Sequence, residues 1–194
     1  MPEAVLESRK EEFLDGIVDF VFERGVSDLS LRPLAEHIGT SPRMLLYHFG
    51  SKESLVVEVL AAARARQYAD LEAWAQAGAT LPEIIRRYWD WAASEEARPY
   101  MRLFFEVFGL AVQGRSGTEE VLPALSVQAM AFFGAAAERG AEPSERTSQL
   151  VLLAVSTLRG LLFSLLATGD RRPLDGAMDR FLTFLETELN ATGK

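Results

Sequence analysis

Apolar residues recur along this chain at the spacing of helices. Phe13, Ile17, Phe20 and Val21 fall at i, i+4, i+7 and i+8 and form one stripe on a first helix predicted to end near Gly25. Two short helices are predicted over Leu31–Ile38 and Pro42–His48, and Gly50 or Ser51 caps a long one running toward Ala77. Five more segments follow, Leu81–Ser94, Arg98–Gln113, Glu119–Arg139, Pro143–Thr168 and Leu174–Leu189, separated by Gly, Pro and polar clusters. No stretch alternates apolar and polar residues convincingly and no internal repeat is visible, so the pattern predicts an all-α protein of about nine helices.

The sharpest local signals lie between Ser30 and His48. Ser30 can accept a hydrogen bond from the free N–H groups of its helix, and Pro33 lies in the first turn, where a missing donor costs little. Leu31, Leu34, Ala35 and Ile38 share a face, and Gly39 supplies the conformation that stops the helix. Only Thr40 and Ser41 separate that stop from the next start, where Ser41 suits the N-cap and Pro42 the first helical position. Helices joined so tightly cross steeply, as a helix-turn-helix. Leu45 and Phe49 can plug into the first helix beside the small Ala35, which leaves Pro42, Arg43, Met44, Leu46, Tyr47 and His48 facing outward or sideways. A helix of that size displaying Arg, Tyr and His can enter a major groove by its N-terminal end, although the same unit also occurs in proteins that bind no DNA.

Charge narrows this picture. The formal net charge is −8, and even residues 1–60 hold more acids than bases, so binding to nucleic acid through a generally basic surface is excluded. Any DNA contact must come from a few well-placed cations. With 194 residues, 48% of them hydrophobic, the chain can bury a substantial core. The absence of cysteine excludes disulfides and thiol catalysis, and two histidines, His37 and His48, leave no ordinary zinc site. No cofactor is expected. The charged start, MPEAVLESRKEEF, has no apolar core of a signal peptide, which gives the cytoplasm as the expected location. Leu150 to Ala167 approaches the roughly 20 residues a bilayer needs, but Arg159 and Gly160 sit at its centre with Ser156, Thr157 and Ser164 nearby, so it is read as a buried helix.

Residues 13–60 resemble the N-terminal domain of the TetR/AcrR family of transcriptional regulators, with Phe20, Gly25, Leu34, Ala35, Gly39, Ser41, Leu45, Phe49, Ser51, Lys52, Glu53 and Leu55 in matching register. The resemblance implies a three-helix DNA-binding domain over residues 1–55, a helical ligand-binding and dimerisation domain over 56–194, and three partners: a double-stranded operator, a small-molecule effector and a second copy of the chain. Where the family's recognition helix usually has Gly-Thr-Leu-Tyr, this chain has Arg43, Met44, Leu45 and Leu46. Tyr47 is therefore displaced by one position, about 100° around the helix, from the family's phosphate-contacting tyrosine. By resemblance and chemistry, Ser30, Arg32, Tyr47, His48 and Lys52 are candidates for holding phosphates, Lys52 together with the N–H groups that open its helix. Arg43 can pair with guanine and Met44 or Leu46 can meet a thymine methyl, with phosphate contact or simple packing as equal alternatives. Thr40, Ser41 and Pro42 complete the DNA-facing set.

Beyond residue 60 no catalytic constellation appears, and Glu95, Glu96 and Glu106 read as solvated acids rather than as an enzyme's machinery. Aromatic residues are dense instead. Trp74, Tyr88, Trp89, Trp91, Tyr100, Met101, Phe104, Phe105, Phe108, Met130, Phe133 and Phe163 are candidates to line an apolar effector cavity, most of them serving equally well as core, with Arg102 or Arg159 as a polar anchor. Leu158, Leu161, Leu162, Leu165 and Leu166 wrap beyond a single stripe, and Met178, Phe181, Leu182, Leu185 and Leu189 form a second stripe with Leu174. These ten are predicted to make an isologous four-helix dimer interface, the alternative being a core buried within one chain.

Overall fold

The computed structural model describes residues 3–24, 30–114, 121–137 and 144–191, and within them the side chains outside 3–8, 22, 64–72, 74–75 and 121–125. The described residues form nine helices and no strand: α1 (Glu3–Arg24), α2 (Leu31–His37), α3 (Pro42–Phe49), α4 (Lys52–Gln76), α5 (Leu81–Ala92), α6 (Arg98–Val112), α7 (Val121–Ala137), α8 (Glu145–Thr168) and α9 (Arg171–Asn190). Gly25 and the outer ends of the segment predicted over 119–139 lie outside the described residues. The chain divides into two compact units, residues 1–67 with 99–122, and 68–98 with 123–194.

In the first unit the stripe read from the sequence, Phe13, Ile17, Phe20 and Val21 of α1, is buried as expected, and it lies in the core with Val18 beside it, Leu34 and Ala35 of α2, Leu45 and Phe49 of α3, and Leu55, Val56, Val59 and Leu60 of α4. α6 buries Tyr100, Met101, Leu103, Phe104 and Val107 in the same unit. Gly16 has a steric reason to be glycine, because a Cβ there would stand 3.0 Å from Ile38 Cγ2. Its hydrogen lets α1 close on the end of α2.

The second unit is organised by its helix starts. The Thr80 N–H and hydroxyl both donate to Glu83 Oε2, at 2.7 and 2.9 Å, which fixes the entry to α5. Those two bonds hold the Glu83 carboxyl below the usual carboxylate range, the backbone bond being the larger cause. Ser144 Oγ accepts from the Thr147 N–H at 3.1 Å to open α8, and Gly169, at φ +71°, closes it in the left-handed conformation. Asp170 then accepts from the Arg172 N–H at 3.2 Å, so α9 begins three residues before the predicted Leu174. A start placed on the first apolar residue missed this polar first turn.

α8 and α9 pack on one another and α5 packs on both. Leu158, Leu162, Met178, Leu182 and Leu185, predicted to lie at a dimer interface, are buried within the single chain together with Ile84, Ile85 and Trp89 of α5. Leu161, Leu165, Leu166, Phe181 and Leu189 are half-buried. The outward stripe of α8 is a different set, Leu152, Ser156, Gly160, Phe163 and Ala167, in which Phe163 is 60% exposed and Leu152 56%. By length and composition α8 could cross a bilayer, with a mean hydropathy of 2.1 over an 18-residue window that is 33% buried.

Candidate nucleic-acid interface

The turn between α2 and α3 is closed by backbone hydrogen bonds. Gly39 takes φ +69°, its N–H reaches Glu36 O at 3.4 Å, and the Thr40 N–H reaches Ala35 O at 2.8 Å. Ser41 is extended at φ −115° and its Oγ accepts from the Met44 N–H at 3.3 Å, so the N-cap read from the sequence is formed, with Pro42 exposed in the first turn. Ser30 has the backbone of an N-cap but makes no side-chain capping bond, contrary to expectation. It is exposed, as is Arg32, whose Nε donates to Glu36 Oε1 at 3.2 Å.

α3 is seated through Leu45 and Phe49, which are buried, and faces outward through Arg43, Met44, Leu46 and Tyr47, all exposed. At about 100° per residue, Tyr47 stands opposite the Leu45–Phe49 seam, with Arg43 about 40° to one side. The displaced tyrosine thus shares the centre of the exposed face with the arginine. Of the residues expected to face outward or sideways, His48 takes the sideways place: it is half-buried, its ring stands edge-on to Phe13 at 5.4 Å between centroids, and its Nε2 is buried without a hydrogen-bond partner. The helical wheel puts position 48 at the edge of the seam. Phe13, 35 residues earlier, fills the adjacent space.

Contacts far apart in sequence hold this assembly and were not foreseen. Lys10 Nζ lies 2.7 Å from Glu58 Oε2 and 5.4 Å from the centroid of the Phe49 ring, joining α1 to α4 and to the end of α3. The His37 ring of α2 meets Phe20 of α1 at 5.1 Å, and Arg24, one turn along α1, stands over the same Phe20 ring at 5.0 Å. The only signal in the sequence was a pair of cations beside aromatic stripes.

Gly50, at φ +77°, ends α3, and Ser51 starts α4 at once: its Oγ accepts from the Ser54 N–H at 3.0 Å and donates to Ser54 Oγ at 2.9 Å. Lys52 is exposed at the first position of α4, where the opening N–H groups of a helix have no intrahelical acceptor. Glu106 of α6 feels the Lys52 charge. Burial pushes the Glu106 carboxyl above the usual carboxylate range, and Lys52 partly offsets that.

The predicted effector residues fall in both units. In the first, Phe104 meets Phe105 edge-on at 5.1 Å and stacks with Phe108 at 5.9 Å, beside buried Tyr100 and Met101. Arg102, on the same helix, is exposed. In the second, Tyr88 contacts Trp91 at 5.7 Å and Phe133 at 6.2 Å, and Met130 is half-buried. Trp89 is fully buried, its Nε1 donating to Asp175 Oδ1 at 2.7 Å, which makes it a core anchor between α5 and α9. Phe163, proposed as a cavity residue, points outward from α8, and Arg159 is half-buried. The side chain of Trp74 lies outside the described residues. A cleft of about 410 Å³ between α5 and α9 is lined by Pro82, Glu83, Arg86, Arg87, Asp179 and their neighbours, none of them in the predicted aromatic set. Among the described residues no group of His, Asp and Glu could hold a metal.

Residues 13–59 match the family described as bacterial regulatory proteins, tetR family. No curated protein sequence matches the chain. Among solved structures, a TetR transcriptional regulator from Rhodococcus sp. RHA1 is 17% identical, with a TM-score of 0.66 over 92% of this chain and 97% of that one. The multidrug binding protein EbrR, solved with imidazole, is 20% identical with a TM-score of 0.64, covering 90% and 89% of the two chains. The fatty acid degradation regulator FadR from Bacillus halodurans is 14% identical with a TM-score of 0.59, covering 91% and 94%. At these identities the likeness is one of fold.

Proposed function

We propose that this chain, which carries the N-terminal domain of the tetR family of bacterial regulatory proteins and shares the fold of solved proteins of that kind, is a cytoplasmic repressor released from a palindromic operator by an apolar or aromatic small molecule. The observation that carries the DNA-binding part is α3: seated by Leu45 and Phe49, capped by Ser41, and presenting Arg43 and Tyr47 at the centre of its exposed face. Base reading is assigned to Arg43, Met44, Leu46 and Tyr47, and phosphate contact to Lys52 with the opening N–H groups of α4, aided by Arg32, Ser30, Thr40, Ser41 and Pro42. His48 acts from behind, as packing against Phe13.

The homodimer is formed by the outward stripe of α8, Leu152, Ser156, Gly160 and Phe163, together with exposed Phe184 of α9. This support replaces the five leucine and methionine positions that are buried within one chain. Two-fold symmetry places two α3 helices on half-sites about 34–36 Å apart or a multiple of that distance. The DNA-binding and effector functions divide along the chain near residue 55.

The effector reading rests on the aromatic clusters around Phe104 and Tyr88, and on the fact that EbrR and FadR, which share the fold, are described as a multidrug binding protein and a fatty acid degradation regulator. An effector acts by binding one arrangement of the dimer more tightly than the other, and a few kcal/mol of such preference suffices for release. Selection of bound sequences from random duplex DNA tests the reading: an inverted repeat is expected, and a bound pool without dyad symmetry would overturn it. Releasing that duplex with a panel of hydrophobic compounds then tests the effector part.

A further inference from the structure

The outward surface of α3 is largely apolar. His48 is turned inward, so Arg43 is the helix's one outward cation. Around it stand Tyr47, 66% exposed, Leu46, 41%, and Met44, 37%. At about 100° per residue, Leu46 lies roughly 60° to one side of Arg43, and Met44 roughly 60° beyond Tyr47 on the other. The exposed half of the helix is therefore one guanidinium bracketed by a leucine, a phenol ring and a methionine. Neither flank can donate or accept usefully at a base edge, apart from the Tyr47 hydroxyl.

The major groove offers such side chains one apolar surface, the C5-methyl group of thymine. Resting on the DNA-binding function proposed above, we infer that α3 selects its half-site by pyrimidine C5-methyl groups, with Met44, Leu46 and the Tyr47 ring covering thymine methyls on either side of a base contacted by Arg43. The acidity of the chain favours the same division of labour. With a net charge of −8, discrimination by desolvated apolar contact costs no additional positive charge. Ser41 holds the Met44 backbone, and Leu45 and Phe49 hold the helix in register, so these side chains meet the groove from a fixed platform.

The test uses the full-length protein and the duplex selected from random sequence. Each thymidine in a half-site is replaced in turn by deoxyuridine, which deletes the methyl and keeps the Watson–Crick hydrogen bonds and the charge. Loss of about fourfold in affinity is expected at each contacted position, the worth of one buried methyl-sized group. Met44→Ala and Leu46→Ala, both at exposed positions and checked for an unchanged melting temperature, should each make one such position insensitive to deoxyuridine. A selected operator whose affinity changes by less than 1.5-fold at every deoxyuridine overturns methyl reading and leaves the DNA-binding function standing. Failure to select any sequence removes the function on which the inference rests, and the inference with it.

Discussion

Lys52 has two anions to answer to, a DNA phosphate in the proposed complex and Glu106 in the free chain. If Lys52 neutralises a phosphate, Lys52→Ala should flatten the dependence of log affinity on log salt by about one unit per subunit, measured as operator binding across a salt series. An unchanged slope would assign the contact elsewhere. Glu106 gives a stability prediction with a definite sign. Its folded pKa is raised by burial, so the protonated form is favoured by folding and the penalty appears as pH rises through the folded pKa. Glu106→Gln should therefore raise the melting temperature at pH 7, with the gain closing as the pH falls below the ordinary carboxylate pKa of about 4.3. Thermal melts at pH 4 and pH 7 check both halves of that statement. Residue-scale features were unevenly legible: the Ser41 cap and the Gly39 stop are local and were read correctly, whereas the inward turn of His48 depends on Phe13 and could not be seen from its own helix.

At the scale of elements, apolar periodicity gave the helices because each buries one stripe, and it erred where polar residues make the start. Asp170, Arg171 and Arg172 open α9 through a cap and an ion pair from Arg171 to Asp175 at 3.1 Å, none of which the apolar pattern registers. Periodicity also cannot say what covers a stripe. Both faces of α8 are apolar, and only the packing of α5 and α9 shows that Leu158 and Leu162 turn inward while Leu152 and Phe163 turn out. The seating of α3 makes the clearest element-scale prediction: Leu45 is 0% exposed, and Leu45→Ala should cost about 2–5 kcal/mol. Loss of operator binding at a temperature where wild type is folded, with recovery on cooling, would mark the effect as one of stability. A cost below about 0.5 kcal/mol in chemical denaturation would contradict the packing described, since surface substitutions fall in that range.

For the whole molecule, the resemblance in residues 13–60 pointed to the proposed DNA-binding domain, whereas the proposed dimer surface and effector site rest on residue types that serve equally well as core. Phe163→Arg places a charge on the outward face of α8 and should give a folded monomer, seen as halved mass in sedimentation with an unchanged helical circular dichroism spectrum. Leu182→Arg, at a position 7% exposed inside one chain, should unfold instead, because an unpaired charge cannot be buried cheaply. A folded dimer for Phe163→Arg would move the interface to another surface.

Whether α3 reads base sequence through a few contacts, and not through a basic surface, is measured by comparing wild type and Arg43→Ala on the selected operator and on a shuffled duplex of equal composition at one physiological salt concentration. Wild type should prefer the operator by at least about 10³, Arg43→Ala should lose roughly 1–3 kcal/mol on the operator, and its binding to the shuffled duplex should be nearly unchanged. Equal affinity of wild type for both duplexes, or equal losses on both for Arg43→Ala, would contradict base reading by α3.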